Sequence, residues 1–160
     1  MNETREDIVV GVDDSEASVA ALIWAIQEAR RRDSRVHALH AWRREPLAEF
    51  AFTEPEAAVS ESATLLNRQI AKAREREGDD VEVVPRAVPG TPAAVLLGAA
   101  ADGELLVVGS HRGGFLREML LGSCSAAVVR HAHTPVVVIP PPGRDRQTNA
   151  TAARDPSAGP

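Results

Sequence analysis

Five short apolar runs alternating with stretches of helical period constrain this chain more than any other feature. Ile8-Val9-Val10-Gly11-Val12, Leu105 to Val108 and Val136 to Ile139 are too short for helices and apolar without alternation. That is the pattern of strands buried on both faces. Arg35 to Trp42 alternates in part, and Val81 to Val88 contains Pro85. Pro85 cannot donate to a ladder, so its strand is expected at a sheet edge or bulged.

Helical signals fill the intervals. Asp13-Asp14-Ser15 offers N-caps for a helix carrying Leu22, Ile26 and Ala29 on one stripe, with Val19, Ile23 and Trp24 beside it. Arg30-Arg31-Arg32 lie in its last turn, where cations suit the dipole, and read as a solvated helix end. Thr53-Glu54-Pro55-Glu56 fits a capping box for a second helix, its inner stripe Val59, Ala63, Leu66, Ile70 and Ala73 and its stop Gly78. A third helix is expected from Thr91-Pro92 to Asp102-Gly103, and a fourth from about Ser123 to Ala132.

The resulting βαβαβαβαβ order predicts an α/β fold. We expect a single open five-stranded parallel sheet, order 3-2-1-4-5, with four helices on both faces. Ligands of such sheets bind beyond the strand C-termini, where the winding direction switches. If strands one and four flank that switch, three segments converge there: Asp13-Asp14-Ser15, Trp42-Arg43 and Gly109 to Gly114. The last belongs to Gly109-Ser110-His111-Arg112-Gly113-Gly114, which runs on to Gly122-Ser123-Cys124-Ser125. A strand, a glycine-rich loop with basic residues and a helix N-terminus together make an anion cradle. The alternative is a tight loop whose glycines satisfy only backbone geometry.

At 160 residues with 44% hydrophobic and 26% charged residues, the chain has the size and composition of one soluble domain. A net charge of −5 argues against nucleic acid as the main partner. The single cysteine, Cys124, excludes an internal disulfide. Residues 1–7 lack a signal-peptide apolar core and no run approaches membrane-spanning length, so a cytoplasmic location is expected. From Pro140 the composition turns to Pro, Gly and polar residues without period. The expected division is a folded domain at 1–141 and a disordered tail at 142–160.

No Walker A motif and no Gly-x-Ser-x-Gly elbow is present, and no base stands beside a nucleophile, so no catalytic residue is assigned. Glu118, in the long loop, could orient a water but reads as readily as a solvated residue. His37 and His40 lie on opposite faces of a strand, and His131 and His133 end a helix. These four read as surface or helix-end histidines, and no metal site is assigned. His111 lies in the presumed phosphate loop. Cys124 follows a helix start, which could lower its pKa, though such a cysteine is more often a small core residue.

Ile8-Val9-Val10-Gly11-Val12-Asp13-Asp14-Ser15, Gly90-Thr91-Pro92-Ala93, Ala101 to Ser110, Leu120 to Ser125 and His133 to Val138 together resemble the universal stress proteins. The resemblance covers residues 7–140. It implies an adenine-nucleotide α/β fold and ATP as ligand, with Mg²⁺ accompanying it. ATP-binding members carry Gly, two residues, Gly, nine residues, then Gly with Ser or Thr. Gly109 and Gly122-Ser123 keep the outer spacing; the inner glycine position is Arg112, and Gly113 comes one residue later. A guanidinium can itself bind phosphate bidentately.

By the same resemblance Asp13 would lie near the ribose or metal-bound phosphates, Ala41 would meet adenine through its backbone, and Val12 would pack on the base. The implied binding set is Gly11, Val12, Asp13, Ala41, Gly109, Ser110, Arg112, Gly113, Gly122, Ser123, Cys124 and Ser125. For Asp13 the competing role is helix capping. The family also implies homodimers paired through strand 136–139, whose apolar edge would otherwise be exposed. The implied function is a nucleotide-dependent stress sensor or regulator with slow hydrolysis at most. Arg112 keeps open a non-nucleotide interaction protein of the same fold, and a nucleotide hydrolase is the third reading.

Overall fold

A computed structural model of the chain describes residues 7–43, 55–101, 105–110 and 121–143. Five strands and four helices alternate: β1 (Ile8–Gly11), α1 (Glu16–Arg32), β2 (Val36–Trp42), α2 (Pro55–Glu77), β3 (Val83–Pro89), α3 (Pro92–Ala99), β4 (Leu105–Gly109), α4 (Ser123–His131) and β5 (Val136–Ile139). All strand pairings are parallel, and the order is β3-β2-β1-β4-β5. Consecutive strands run outward from β1 to β3, then the chain returns to β4 on the other side of β1. The winding switch therefore lies between β1 and β4.

Side-chain alternation divides the core between the two faces. Ile8, Val10, Val36, Ala38, Leu105 and Val107 face α1 and α2, meeting Leu22, Ile26, Ala29, Leu66, Ile70 and Ala73. Val9, Leu39, Leu106 and Val108 face the other way, against Leu96 and Val128 from α3 and α4. Pro85 sits in edge strand β3, as its missing donor requires.

Three local expectations need correction. Val59 does not join the inner stripe of α2; it is 41% exposed. The buried face there is Ser62, Leu66, Gln69, Ile70 and Ala73. Ser62 on that stripe faces His40 of β2, whose Nδ1 lies 2.6 Å from its Oγ. Helix α3 ends at Ala99, short of Asp102-Gly103, because Ala100 leaves helical geometry and its carbonyl accepts the Thr134 hydroxyl. Thr91 precedes α3 in extended geometry but makes no side-chain cap. Thr53 and Glu54 of the expected capping box lie outside the described residues, as does the tail from residue 144.

The arginine run pairs within the fold. Arg30 grips Asp80 through Nε and Nη2, both at 2.7 Å, and reaches Glu77 from α1 to the end of α2. Arg31 and Arg32 pair with Glu28. These exposed pairs add little individually. At the N-terminal edge of the sheet, Asp7 is buried and accepts from Arg35 Nη2 at 2.6 Å, with His37 Nε2 2.9 Å away. Burial pushes the Asp7 carboxyl up, but these two partners outweigh it and hold it below its ordinary value.

Candidate functional site

A cleft of about 180 Å³ opens beyond the C-terminal ends of β1, β2 and β4, at the winding switch. Its apolar lining includes Val12, Leu39, Ala41, Val95, Leu96 and Val108. Its polar groups come from the β1–α1 turn (Asp13, Ser15, Ser18), from β2 (His40) and from the start of α4 (Ser123, Cys124, Ser125). The starts of α1, α3 and α4 all reach this end of the sheet, with Pro92 lining the cleft for α3.

Those helix starts differ in charge. The α1 start carries Asp13, Asp14 and Glu16. The α4 start, Gly122-Ser123-Cys124-Ser125, carries no charge and has no acidic residue in its first turn. Its first intrahelical bond from this end is Ala126 N–H to the Gly122 carbonyl, at 2.9 Å. The N–H groups of 123 to 125 are thus the first-turn donors of a dipole's positive end. An anion in the cleft is favoured at α4 and repelled at α1.

The acidic turn is tightly tied. Ser15 is the N-cap of α1, its Oγ accepting from Ser18 N–H at 3.1 Å. Asp13 Oδ1 accepts from Ser15 N–H at 3.0 Å, and Asp13 N–H donates to Ser18 Oγ at 3.1 Å. Asp13 therefore braces the cap without being the cap, and its exposed residue lines the cleft.

Gly109 serves packing as well as the cleft. A Cβ there would stand 2.7 Å from the backbone carbon of Ala17 in α1, a contact neither partner can relieve by rotation. Gly11 is less constrained, since its Cβ would meet the Leu96 side chain. Ser125 Oγ lies 3.5 Å from both the Gly109 and Gly122 carbonyls, linking the end of β4 to the start of α4.

Of the residues expected at the site, Gly11, Val12, Asp13, Ala41, Gly109, Gly122, Ser123, Cys124 and Ser125 line this one cleft. Ser110 does not. It is fully buried, its N–H donates to the Ile139 carbonyl at 2.8 Å, and its Oγ has no partner among the described residues. That bond carries the β4–β5 ladder one residue past Gly109. Arg112, Gly113, His111 and Glu118 lie outside the described residues.

His40 was not expected there. Read from spacing as a surface histidine, it lines the cleft, and its Nδ1 lies 2.6 Å from Ser62 Oγ of α2. Burial pushes its pKa below the ordinary histidine value, against an opposing pull from Asp13. His37, likewise half-buried, belongs to the Asp7 cluster at the other end of the sheet. The position of Cys124 at a helix start does not lower its pKa: burial pushes the thiol up, and the Asp13 charge adds to this. Among the described residues no group of three or more His, Cys, Asp or Glu could hold a metal ion. Nor is any described helix long and apolar enough to cross a membrane.

Comparisons with known proteins agree with this architecture. The family model for the universal stress protein family matches residues 4–140. A universal stress protein of Mycobacterium bovis is 38% identical over 131 residues, 82% of this chain and 44% of the relative. One from Mycolicibacterium smegmatis is 38% identical over 143 residues, 88% of this chain and 47% of the relative. The chain thus spans about half the length of these curated relatives. Among solved structures, a universal stress protein in complex with cAMP superposes with a TM-score of 0.61 at 25% identity, covering 87% of this chain and all of that one. One from Archaeoglobus fulgidus in complex with dAMP gives 0.54 at 22% identity, covering 83% of this chain and 96% of that one. With the family model spanning nearly all of the described fold, the chain belongs to the universal stress protein family.

Proposed function

We propose that the cleft binds an adenine nucleotide, ATP among them, and that the chain works as a nucleotide-dependent stress sensor or regulator. The observation that carries this reading is the division of labour within one cleft. Apolar side chains floor the part nearest β2 and α3, a carboxylate stands at the β1–α1 turn, and uncharged helix N–H groups stand at α4. A base packs on the first, ribose hydroxyls donate to the second, and phosphate takes the third. The cAMP and dAMP complexes of related proteins support the ligand class.

In this reading Gly11, Val12 and Ala41 contact the base, Asp13 takes the ribose, and Gly109, Gly122, Ser123, Cys124 and Ser125 contact the phosphates. Arg112 and Gly113, which follow β4 in the sequence, complete the phosphate contacts. Asp13 would alternatively hold a Mg²⁺ that accompanies the nucleotide, which would offset phosphate charge. Hydrolysis in this reading is slow at most. The half-buried apolar residues of edge strand β5 support a homodimer paired through Val136–Ile139. The folded domain is residues 1–141, and the protein acts in the cytoplasm.

The experiment is a thermal-shift titration with ATP, dAMP and cAMP, each with and without Mg²⁺, beside analysis of nucleotide released from the purified protein by denaturation. The expected outcome is released adenine nucleotide and a Tm that rises with ligand. No released nucleotide and no shift at millimolar ligand would favour the second reading, an interaction protein, which the Arg112 substitution in the glycine pattern supports.

A further inference from the structure

Helix α2 buries two polar side chains on a face that is otherwise apolar, and both reach the cleft wall. Gln69 is fully buried, and its Nε2 donates to the Asp13 carbonyl at 2.8 Å and lies 3.3 Å from Asp14 Oδ1. Two turns earlier Ser62, 2% exposed, holds His40 Nδ1 at 2.6 Å. Arg68, next to Gln69, adds an exposed pair to Asp14 at 2.7 Å. Burying a glutamine and a serine costs desolvation that a leucine and an alanine would not. Gln69 Oε1 has no partner among the described residues, so Gln69 is suboptimal as a pure stability element. What these side chains do accomplish is to fix the Asp13 backbone and the His40 ring, on two walls of the cleft.

We infer that Gln69 and Ser62 are positioning residues: through them α2 sets the geometry of Asp13 and His40 for the occupant of the cleft. The inference rests on the nucleotide reading for its ligand, but not for its mechanics. Gln69 fixes where the Asp13 carboxylate begins, and Ser62 fixes which ring nitrogen of His40 remains for the cleft. Any displacement of α2 along its axis moves both walls together.

The test compares the full chain with Gln69→Leu, Gln69→Glu and Ser62→Ala, using Ile70→Val as a control on the apolar core face of α2. Three quantities are read: Tm, amide exchange at residues 13–18, and the Kd for dAMP. Gln69→Leu removes an unpartnered buried oxygen with the bond, so Tm should hold while exchange at 13–18 quickens and Kd rises roughly three- to tenfold. Gln69→Glu, an acceptor facing a carbonyl and a carboxylate, should raise Kd further. Ser62→Ala should raise Kd with exchange at 13–18 unchanged, because its partner is His40. Unchanged exchange at 13–18 in Gln69→Leu overturns the inference, as does an equal rise in Kd in Ile70→Val. If the wild type fails to bind dAMP while Gln69→Leu still quickens exchange, the nucleotide reading falls and the positioning role stands.

Discussion

Gly109 lies so close to Ala17 that a Cβ on the glycine would come within 2.8 Å of the Ala17 carbonyl oxygen. The end of β4 and the first turn of α1 are in backbone contact at the edge of the cleft. Gly109→Ala therefore forces two backbones apart, and should cost about 1–3 kcal/mol, toward the upper end. Gly11→Ala meets side chains, Leu96 the nearest, rather than backbone, and should cost less. Urea unfolding of the two variants checks the ranking; equal losses would mean that α1 shifts freely.

Asp7 links stability to acid. Its carboxyl is held below the ordinary value of 3.8 by Arg35 and His37. The unfolded chain then binds the proton first as pH falls. The stabilisation is complete above about pH 4 and lost as pH drops through the lowered folded value. Asp7→Asn should remove that component, costing about 1–3 kcal/mol at neutral pH and flattening the profile below pH 4. Chemical denaturation from pH 7 to pH 2.5 measures both.

His40 carries a dependence in a higher range. Burial lowers its pKa from 6.5, so below that pH the unfolded chain takes up a proton that the fold resists. Stability should fall from pH 6.5 downward, until the folded-state pKa is passed, with a slope of at most ~1.4 kcal/mol per pH unit. His40→Asn should lose this slope and keep the one below pH 4. Tm recorded from pH 8 to pH 2.5 separates the histidine-dependent range from the carboxylate-dependent one.

Cys124 should be a slow thiol. Burial and the Asp13 charge both disfavour its thiolate, and the thiolate is the reacting species. At pH 7.5 its reaction with an aromatic disulfide reagent should be well below that of a free cysteine. Adenine nucleotide in the cleft should slow it further, whereas Asp13→Asn should quicken it. A rate equal to free cysteine would place the thiol outside the cleft.

The alternation of strands and helices was legible because burial on two faces leaves apolar runs that helical periods interrupt. Pro85 even marked the edge. Nine of the expected site residues meet in one cleft because they follow strand ends, and strand ends converge at a winding switch. What the sequence could not convey was what stands opposite a polar residue. His40, Ser62 and Gln69 have no shared motif; only folding brings α2 against the β1–α1 turn. Gly109 shows the other limit. A glycine required by Ala17 and one required by a phosphate are the same letter.

Leu39, Leu96 and Val108 line the cleft and are also members of the core between the sheet and α3–α4. An occupant therefore completes the interior as well as filling a site. Bound at a hundredfold excess over its Kd, it would add about 2.7 kcal/mol to the folding free energy. With such an occupant, the persistence of the folded chain against proteolysis would follow the supply of that ligand.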